Sequence, residues 1–270
     1  MFTKASSLLL LCSYAFTSFS QPGTWIQGAR TGALANADAA LQDTWNTAGN
    51  PAGTAIFSSP SLSFALERRF LLKELDTRAV SALVPFKKQV FGLNINFFGS
   101  SLYNEHLVSL SYARALSAGF RAGLRFNYHG IKIPDYTSQQ AVSVAAGIQA
   151  SPWTGLTLGA YISNPNKAAF EDVLEADIPV TAALGAAYAF SGKVLAVTEL
   201  EKVSGYPAVL RAGLEYAFHA SLRARAGVST SPFRQYAGLG LCYSGFALDV
   251  AASAHQQLGF TPQIAISYEF

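Results

Sequence analysis

Phe120-Arg121-Ala122-Gly123-Leu124-Arg125-Phe126-Asn127-Tyr128-His129 is the stretch that decides the fold. Its even positions are all apolar or aromatic, and its odd positions are Arg, Gly, Arg, Asn and His. Extended backbone sends successive side chains to opposite faces, so this segment reads as a strand with one lipid-grade face and one polar or small face. The same split runs through Leu210 to Tyr216, Leu222 to Val228 and Phe246 to Val250. A soluble sandwich also alternates, but its polar face meets water and is rich in Lys and Glu. Here the second face is largely Gly, Ala, Ser and Thr with sparse charges of both signs, which suits the crowded interior of a barrel.

From residue 61 onward about fourteen such segments follow one another: 61–69, 76–86, 90–101, 104–114, 119–133, 140–151, 154–163, 178–190, 193–203, 207–219, 221–231, 235–244, 246–256 and 262–270. Each is near the ~10 residues that cross a bilayer at a tilt, and the number is even, as in bacterial single-chain barrels. Composition agrees. Of the 270 residues 50% are hydrophobic and only 13% charged, with 22 Gly, 19 Phe and 12 Tyr. After the first ~20 residues no apolar run reaches the roughly 18 that mark a spanning helix. The connections alternate between tight ones, such as Lys87-Lys88-Gln89 and Ser244-Gly245, and longer ones at 70–75, 134–139, 164–177 and 257–261. Short periplasmic turns and longer outer loops give this rhythm, and both ends of the barrel chain then lie on the periplasmic side.

The first twenty residues read as an export signal. Lys4 precedes the apolar centre Leu8 to Leu11, and Ser18 and Ser20 are small residues placed for cleavage before Gln21. Cys12 follows Leu11, where a lipoprotein signal requires a small residue, so it is not read as a lipid anchor. Loss of Cys12 with the signal leaves only Cys242, a small filler that cannot form an intrachain disulfide. Residues 21–60 are too polar to span lipid and too short for a core of their own. Ala33 to Trp45 is Ala-rich and Asn46 to Gly53 is turn-rich. The economical place for this segment is inside the barrel as a luminal plug; the alternative is a periplasmic tail. The expected division is therefore 1–20 signal peptide, 21–60 plug and 61–270 transmembrane barrel. The last strand places Ile264, Ile266, Tyr268 and Phe270 on one face, with Phe terminal, like the signal read by the barrel assembly machinery; an ordinary edge strand is the alternative.

Gly28-Ala29-Arg30-Thr31-Gly32-Ala33, then Trp45 and Asn50-Pro51-Ala52-Gly53, resemble the N-terminal signature of the FadL/PorV-like outer-membrane barrels. The resemblance implies fourteen strands, an N-terminal segment folded into the lumen, and plug-motif residues Gly28, Arg30, Gly32, Trp45, Asn50, Pro51 and Gly53. Tyr103-Asn104-Glu105 and Phe70 to Leu75 look like the short PorV/PorQ-type proteins of Bacteroidota. That branch implies a non-enzymatic interaction component of type IX protein secretion. The FadL branch implies the alternative, passive transport of small hydrophobic molecules across the outer membrane.

Strand parity turns Arg121, Arg125, His129, Glu199, Glu201, Arg211, Glu215, Arg223, Arg225 and Asp249 inward, with Glu67, Arg69, His255 and Glu269. Charges in a low-dielectric wall need partners, so the expected arrangement is an ion-pair network joining wall to plug. A polar path past a movable plug is the sharper reading. A conduit also requires a lateral gap, for which Leu195 and Val197 beside Pro179 are the candidates; a secretion partner would dock on the 164–177 loop. His106, His129 and His255 with Ser253 are the candidates for catalysis, but Ser and His are common on inner barrel faces, and no enzyme is expected. No zinc spacing or phosphate-binding glycine loop is present, and no cofactor is expected. A net charge of +3 argues against nucleic acid. The expected surroundings are outer-membrane lipid, the assembly machinery, and either secretion proteins or a small hydrophobic ligand.

Overall fold

Alternating side chains leave each strand with two unlike faces, and a sheet of such strands separates lipid from lumen only by closing on itself. The computed structural model describes residues 25–170 and 176–270. The expected signal peptide, residues 21–24 and residues 171–175 of the longest loop lie outside them. Sixteen strands follow in order: β1 (Ser61–Arg68), β2 (Asp76–Phe86), β3 (Gln89–Gly99), β4 (Asn104–Ser117), β5 (Phe120–Ile133), β6 (Thr137–Ala150), β7 (Leu156–Ser163), β8 (Ala169–Phe170), β9 (Ala176–Asp177), β10 (Thr181–Ala189), β11 (Val194–Val203), β12 (Val209–His219), β13 (Leu222–Ser229), β14 (Arg234–Tyr243), β15 (Phe246–His255) and β16 (Gly259–Glu269). All but β8 and β9 form a closed antiparallel barrel of fourteen strands, each paired with its neighbour in the chain, and β1 pairs with β16 to complete the ring. The small pair β8–β9 lies in the connection between β7 and β10.

The strands fall close to the segments read from the alternation. Where they differ, local backbone chemistry decides. β3 stops at Gly99, whose φ of +102 turns the chain, and β7 starts after Gly155 at φ +87. β10 begins only at Thr181, beyond Pro179, because proline has no N–H to give a ladder. β16 starts earlier than the sequence suggests, since Pro262 is accommodated opposite Ala252. At one end the connections are tight. Ser244 and Gly245 both have positive φ, the geometry of a two-residue hairpin whose twist matches its strands. Six connections and the start of β1 lie at this turn end; at the opposite, loop end the 69–75 and 164–180 connections are long, but the longer loops expected at 134–139 and 257–261 are three-residue turns, 134–136 and 256–258, because β5, β6 and β16 extend further than the alternation suggested.

Burial is inverted relative to a water-soluble domain. Leu110, Leu124, Phe126, Leu214, Leu239 and Ile264 face outward and are exposed, while Ser109, Ser111, Arg125 and Asn127 on the same strands are buried. No helix among the described residues is long and apolar enough to cross a membrane. Leu110 sits between Leu93 and Phe126 in the middle of the outward face. Leu110→Arg is expected to cost about 2–4 kcal/mol in a bilayer, the range for a cation at the midplane of a barrel wall. Urea unfolding in lipid vesicles measures it.

Candidate functional site

Residues 26–54 lie largely buried against the inner face of the wall. Gly28–Ala33 forms a short helix, α1, and Thr44–Thr47 and Pro51–Ile56 form 3₁₀ turns. The sequence dictates each of these locally. The Asp43 carboxylate accepts the Trp45 N–H at 3.1 Å, while Asn46 Oδ1 accepts the Asp43 N–H at 2.7 Å, closing a capping box. In Asn50-Pro51-Ala52-Gly53 the Asn50 side chain accepts the Ala52 N–H at 3.1 Å, and Pro51 takes the first helical position, where no N–H is needed. A side chain on Gly53 would sit 2.7 Å from the Leu41 carbonyl. Gly28 lies against the Trp45 ring at φ +80, and Gly32 lies against the Gln263 side chain on β16.

The segment meets the wall on both sides. α1 packs on β13 to β16, and the second 3₁₀ turn packs on β3 to β6. Leu34, Ala37, Ala40 and Leu41 form an apolar cluster with Ala187 and Val197 of the wall. Inward glycines let the two backbones approach. At Gly159 a Cβ would run into the carbonyl of Ala39, and at Gly227 it would lie 2.8 Å from the Ala35 nitrogen.

On the β11–β15 side the contacts are ionic. Arg211 pairs with Glu199 at 2.9 Å and Glu201 at 2.6 Å, and it donates to the Asn36 carbonyl at 3.0 Å. Glu199 also accepts the backbone N–H groups of Asp38 and Ala39 at 2.8 and 2.7 Å. Arg225 joins Glu215 at 2.6 Å to Asp249 at 2.5 Å, and Arg30 of α1 reaches Glu215 at 2.9 Å and Asp43 at 3.0 Å. Arg223 stands at the rim, 4.0 Å from Glu215. Across the lumen Arg125 donates to the Gly49 carbonyl at 2.6 Å, and Gln149 donates to the carbonyls of Ala39 and Leu41. Arg121 donates to Ser151 Oγ at 2.6 Å. The β4–β6 wall above is neutral: Ser109, Asn127, Ser143 and His129 form one hydrogen-bonded chain.

Asp38 is buried in this cluster, and neither of its carboxylate oxygens has a hydrogen-bond partner among the described residues. Burial, reinforced by the nearby Glu199 carboxylate, holds its pKa well above the ordinary carboxylate value. A folded-state pKa above the unfolded one gives a contribution to stability that is complete below the ordinary carboxylate range. That contribution is lost as pH rises through the raised value. Asp38→Asn is expected to keep the neutral form at every pH and to abolish this loss. Thermal melts in mildly acidic and mildly alkaline buffer check it: wild type gains stability on acidification through this window, and the variant does not.

A notch opens at the loop end of the wall. β5 and β6 stay paired up to Ile133 opposite Thr137, but the pairing of β6 with β7 stops at Ala145 opposite Ser163. Residues 137–144 therefore have no barrel strand on one side, along roughly 25 Å at ~3.3 Å per residue. The Asn166 side chain takes the place of a strand there: its Oδ1 accepts the Val144 N–H and its Nδ2 donates to the Val142 carbonyl, both at 3.1 Å. Asn164 ties the ends of the loop together, donating to the carbonyls of Ala168 at 3.0 Å and Ile178 at 2.5 Å. Between the β6 edge and residues 166–169 lies a space of about 780 Å³. Beside it Ile131, Ala141 and Phe170 form an apolar cluster with Ile133 and Ile178. The Phe170 ring meets His129 edge-on at 6.5 Å, and the buried Gln139 amide has no hydrogen-bond partner among the described residues.

The lateral gap expected at Leu195, Val197 and Pro179 is not there. β10 and β11 pair without a break from Thr181–Val203 to Ala189–Leu195, and Val197 packs on the luminal segment. Pro179 precedes the strand and interrupts nothing. Of the catalytic candidates, His106 faces outward beside Tyr128, and His255 Nδ1 accepts the N–H groups of Gln257 and Leu258 in a turn. Ile264, Ile266, Tyr268 and Phe270 share the outward face, with Phe270 donating its N–H to the Pro60 carbonyl. Sequence reasoning missed Asp38, Gln149, Asn164 and Asn166. Asp43 followed by Asn46 is a readable capping signal, whereas the two loop asparagines carry none.

The fold and its filled lumen define a FadL-like outer-membrane-type barrel architecture. Solved structures with this fold include the toluene transporter TbuX of Ralstonia pickettii, 13% identical, with a TM-score of 0.67 over 92% of this chain and 99% of that one. The toluene transporter TodX of Pseudomonas putida is 12% identical, with a TM-score of 0.61 over 90% of this chain and 98% of the other. A FadL homologue of Pseudomonas aeruginosa is 12% identical, with a TM-score of 0.62 over the same shares. No protein-family model matches the sequence, and no curated protein matches it.

Proposed function

We propose that this protein is an integral outer-membrane conduit for small hydrophobic molecules, with residues 25–57 as its luminal plug. The observation that carries the reading is the notch beside β6, backed by the Ile131, Ala141 and Phe170 cluster, in a ring of strands that is otherwise paired throughout among the described residues. An apolar solute entering there would pass Gln139 and Asn166 at the polar mouth and reach the Ile131, Ala141 and Phe170 cluster. The solved barrels of this fold are channels and transporters for compounds such as toluene, which supports the same reading. It places the conduit ahead of the secretion role that the PorV/PorQ resemblance implied. Of the 164–177 loop, expected to present a docking surface for a secretion partner, Asn166 bonds the edge of β6, and residues 171–175 lie outside the described residues.

The test is uptake of radiolabelled toluene into vesicles carrying the purified barrel. Wild type is expected to exceed empty vesicles. Ala141→Trp, which fills the apolar cluster, is expected to cut the excess about tenfold, as removal of most of a binding contact would. Equal uptake by wild type, variant and empty vesicles overturns the proposal.

A further inference from the structure

A second concavity lies on the opposite side of the wall, facing lipid. It is a groove of about 840 Å³ crossing β4 to β10 obliquely. Its register explains its shape. Ala122 faces Ile148, Ile148 faces Ala160, Leu124 faces Ala146, and Ile162 faces Ala182. Small and large outward side chains thus alternate across neighbouring strands, and the alanines leave a trough bounded by Leu124, Ile148 and Ile162. The lining is almost wholly apolar, with one cation, Arg114, at the turn end. Arg114 is exposed and has no ion-pair partner among the described residues. Gln89 lies opposite it, and the Lys87-Lys88 turn immediately precedes Gln89, with Lys87 Nζ over the Phe86 ring at 5.4 Å. Between Asp76 and Asp135 the chain has a single acid, Glu105, and this lies at the far end of β4 accepting a hydrogen bond from Tyr103.

We infer that this groove binds one chain of an anionic phospholipid from the leaflet at the turn end, with the phosphate held by Arg114 and the positive Lys87-Lys88 turn on the neighbouring hairpin adding to the local potential. Charge complementarity selects this occupant. A barrel wall bathed in lipid has no need of an unpaired guanidinium beside an apolar trough, and a phosphate satisfies it with charge-assisted hydrogen bonds. A second copy of this chain would bring only its own cations to the same mouth. The inference rests on the barrel spanning a bilayer, but not on what it transports.

The experiment is native mass spectrometry of barrel extracted from vesicles of phosphatidylglycerol and phosphatidylethanolamine in equal amounts. Wild type is expected to retain one phospholipid and to favour phosphatidylglycerol. Arg114→Gln is expected to lower the phosphatidylglycerol preference about tenfold while leaving a lipid bound, the scale of one charged contact. Ala146→Phe with Ala160→Phe fills the trough and is expected to abolish retention, whereas Ala252→Phe, outward on β15, is expected to change nothing. Equal retention in the filled variant, an unchanged preference in Arg114→Gln, or a dimer that the filled variant dissociates would each overturn the proposal. A wild-type barrel showing no heat-dependent gel shift would overturn the membrane reading beneath it, an outcome distinct from loss of lipid alone.

Discussion

Arg211→Ala is expected to release the luminal segment. The guanidinium bonds both Glu199 and Glu201, and it also holds the Asn36 carbonyl. Its removal leaves two buried carboxylates facing each other beside Asp38. Breaking a buried pair from one side costs about 3–5 kcal/mol, because the buried Glu199 carboxylate loses its counter-charge where water does not reach. Water entering to solvate Glu199 and Glu201 competes with the N–H groups of Asp38 and Ala39 for the same oxygens. The measured result should be a lower melting temperature together with a new ion conductance in planar bilayers. Limited proteolysis should cut near residues 36–39, which wild type protects. A variant that melts lower but conducts no more than wild type would show that the pair holds the wall alone.

Gly159→Val tests the same clamp from the opposite strand, without touching a charge. The Ala39 carbonyl lies where a side chain at residue 159 would begin, and that carbonyl also accepts hydrogen bonds from Asn50 at 2.6 Å and Gln149 at 3.1 Å. Backbone cannot rotate aside as a side chain can, so the 38–40 turn must lift off β7 and give up both bonds. Asn50 keeps its bond to the Ile148 carbonyl and Gln149 its bond to the Leu41 carbonyl, so the loss is that of two net hydrogen bonds, about 1–3 kcal/mol. The barrel wall, whose own ladder is intact, should still show its heat-dependent gel shift, while toluene uptake rises. Unchanged uptake and an unchanged melting temperature would show that the segment repacks around the added side chain.

The wall was legible in the sequence because one rule, alternation at period two, operates on every strand and is enforced by lipid on one side. Ser244-Gly245 and Gly99 mark chain reversals through backbone geometry that few other residues accept. The inward placement of Arg211, Glu199 and Arg225 follows from parity. Their partners do not, since parity gives a face but not the height at which two strands are paired. Glu215 illustrates this: its link to Arg225 is cross-strand and local, whereas its link to Arg30 spans most of the chain. The notch was illegible for a related reason. It exists because β7 is shorter than β6 at one end, and Asn164 and Asn166 look like any loop asparagines until the edge they cover is known. Pro179 misled because proline marks where a ladder stops, which here is just outside the ring.

The joint between β1 and β16 carries a consequence for biogenesis. The enclosed segment runs directly into β1, and β1 is the strand whose pairing with the last strand shuts the cylinder. Its turns are bonded on both sides to the surrounding wall. Chain order thus sets the N-terminal part beside the first half of the closing seam, where it can serve as a mandrel around which the later strands are curled.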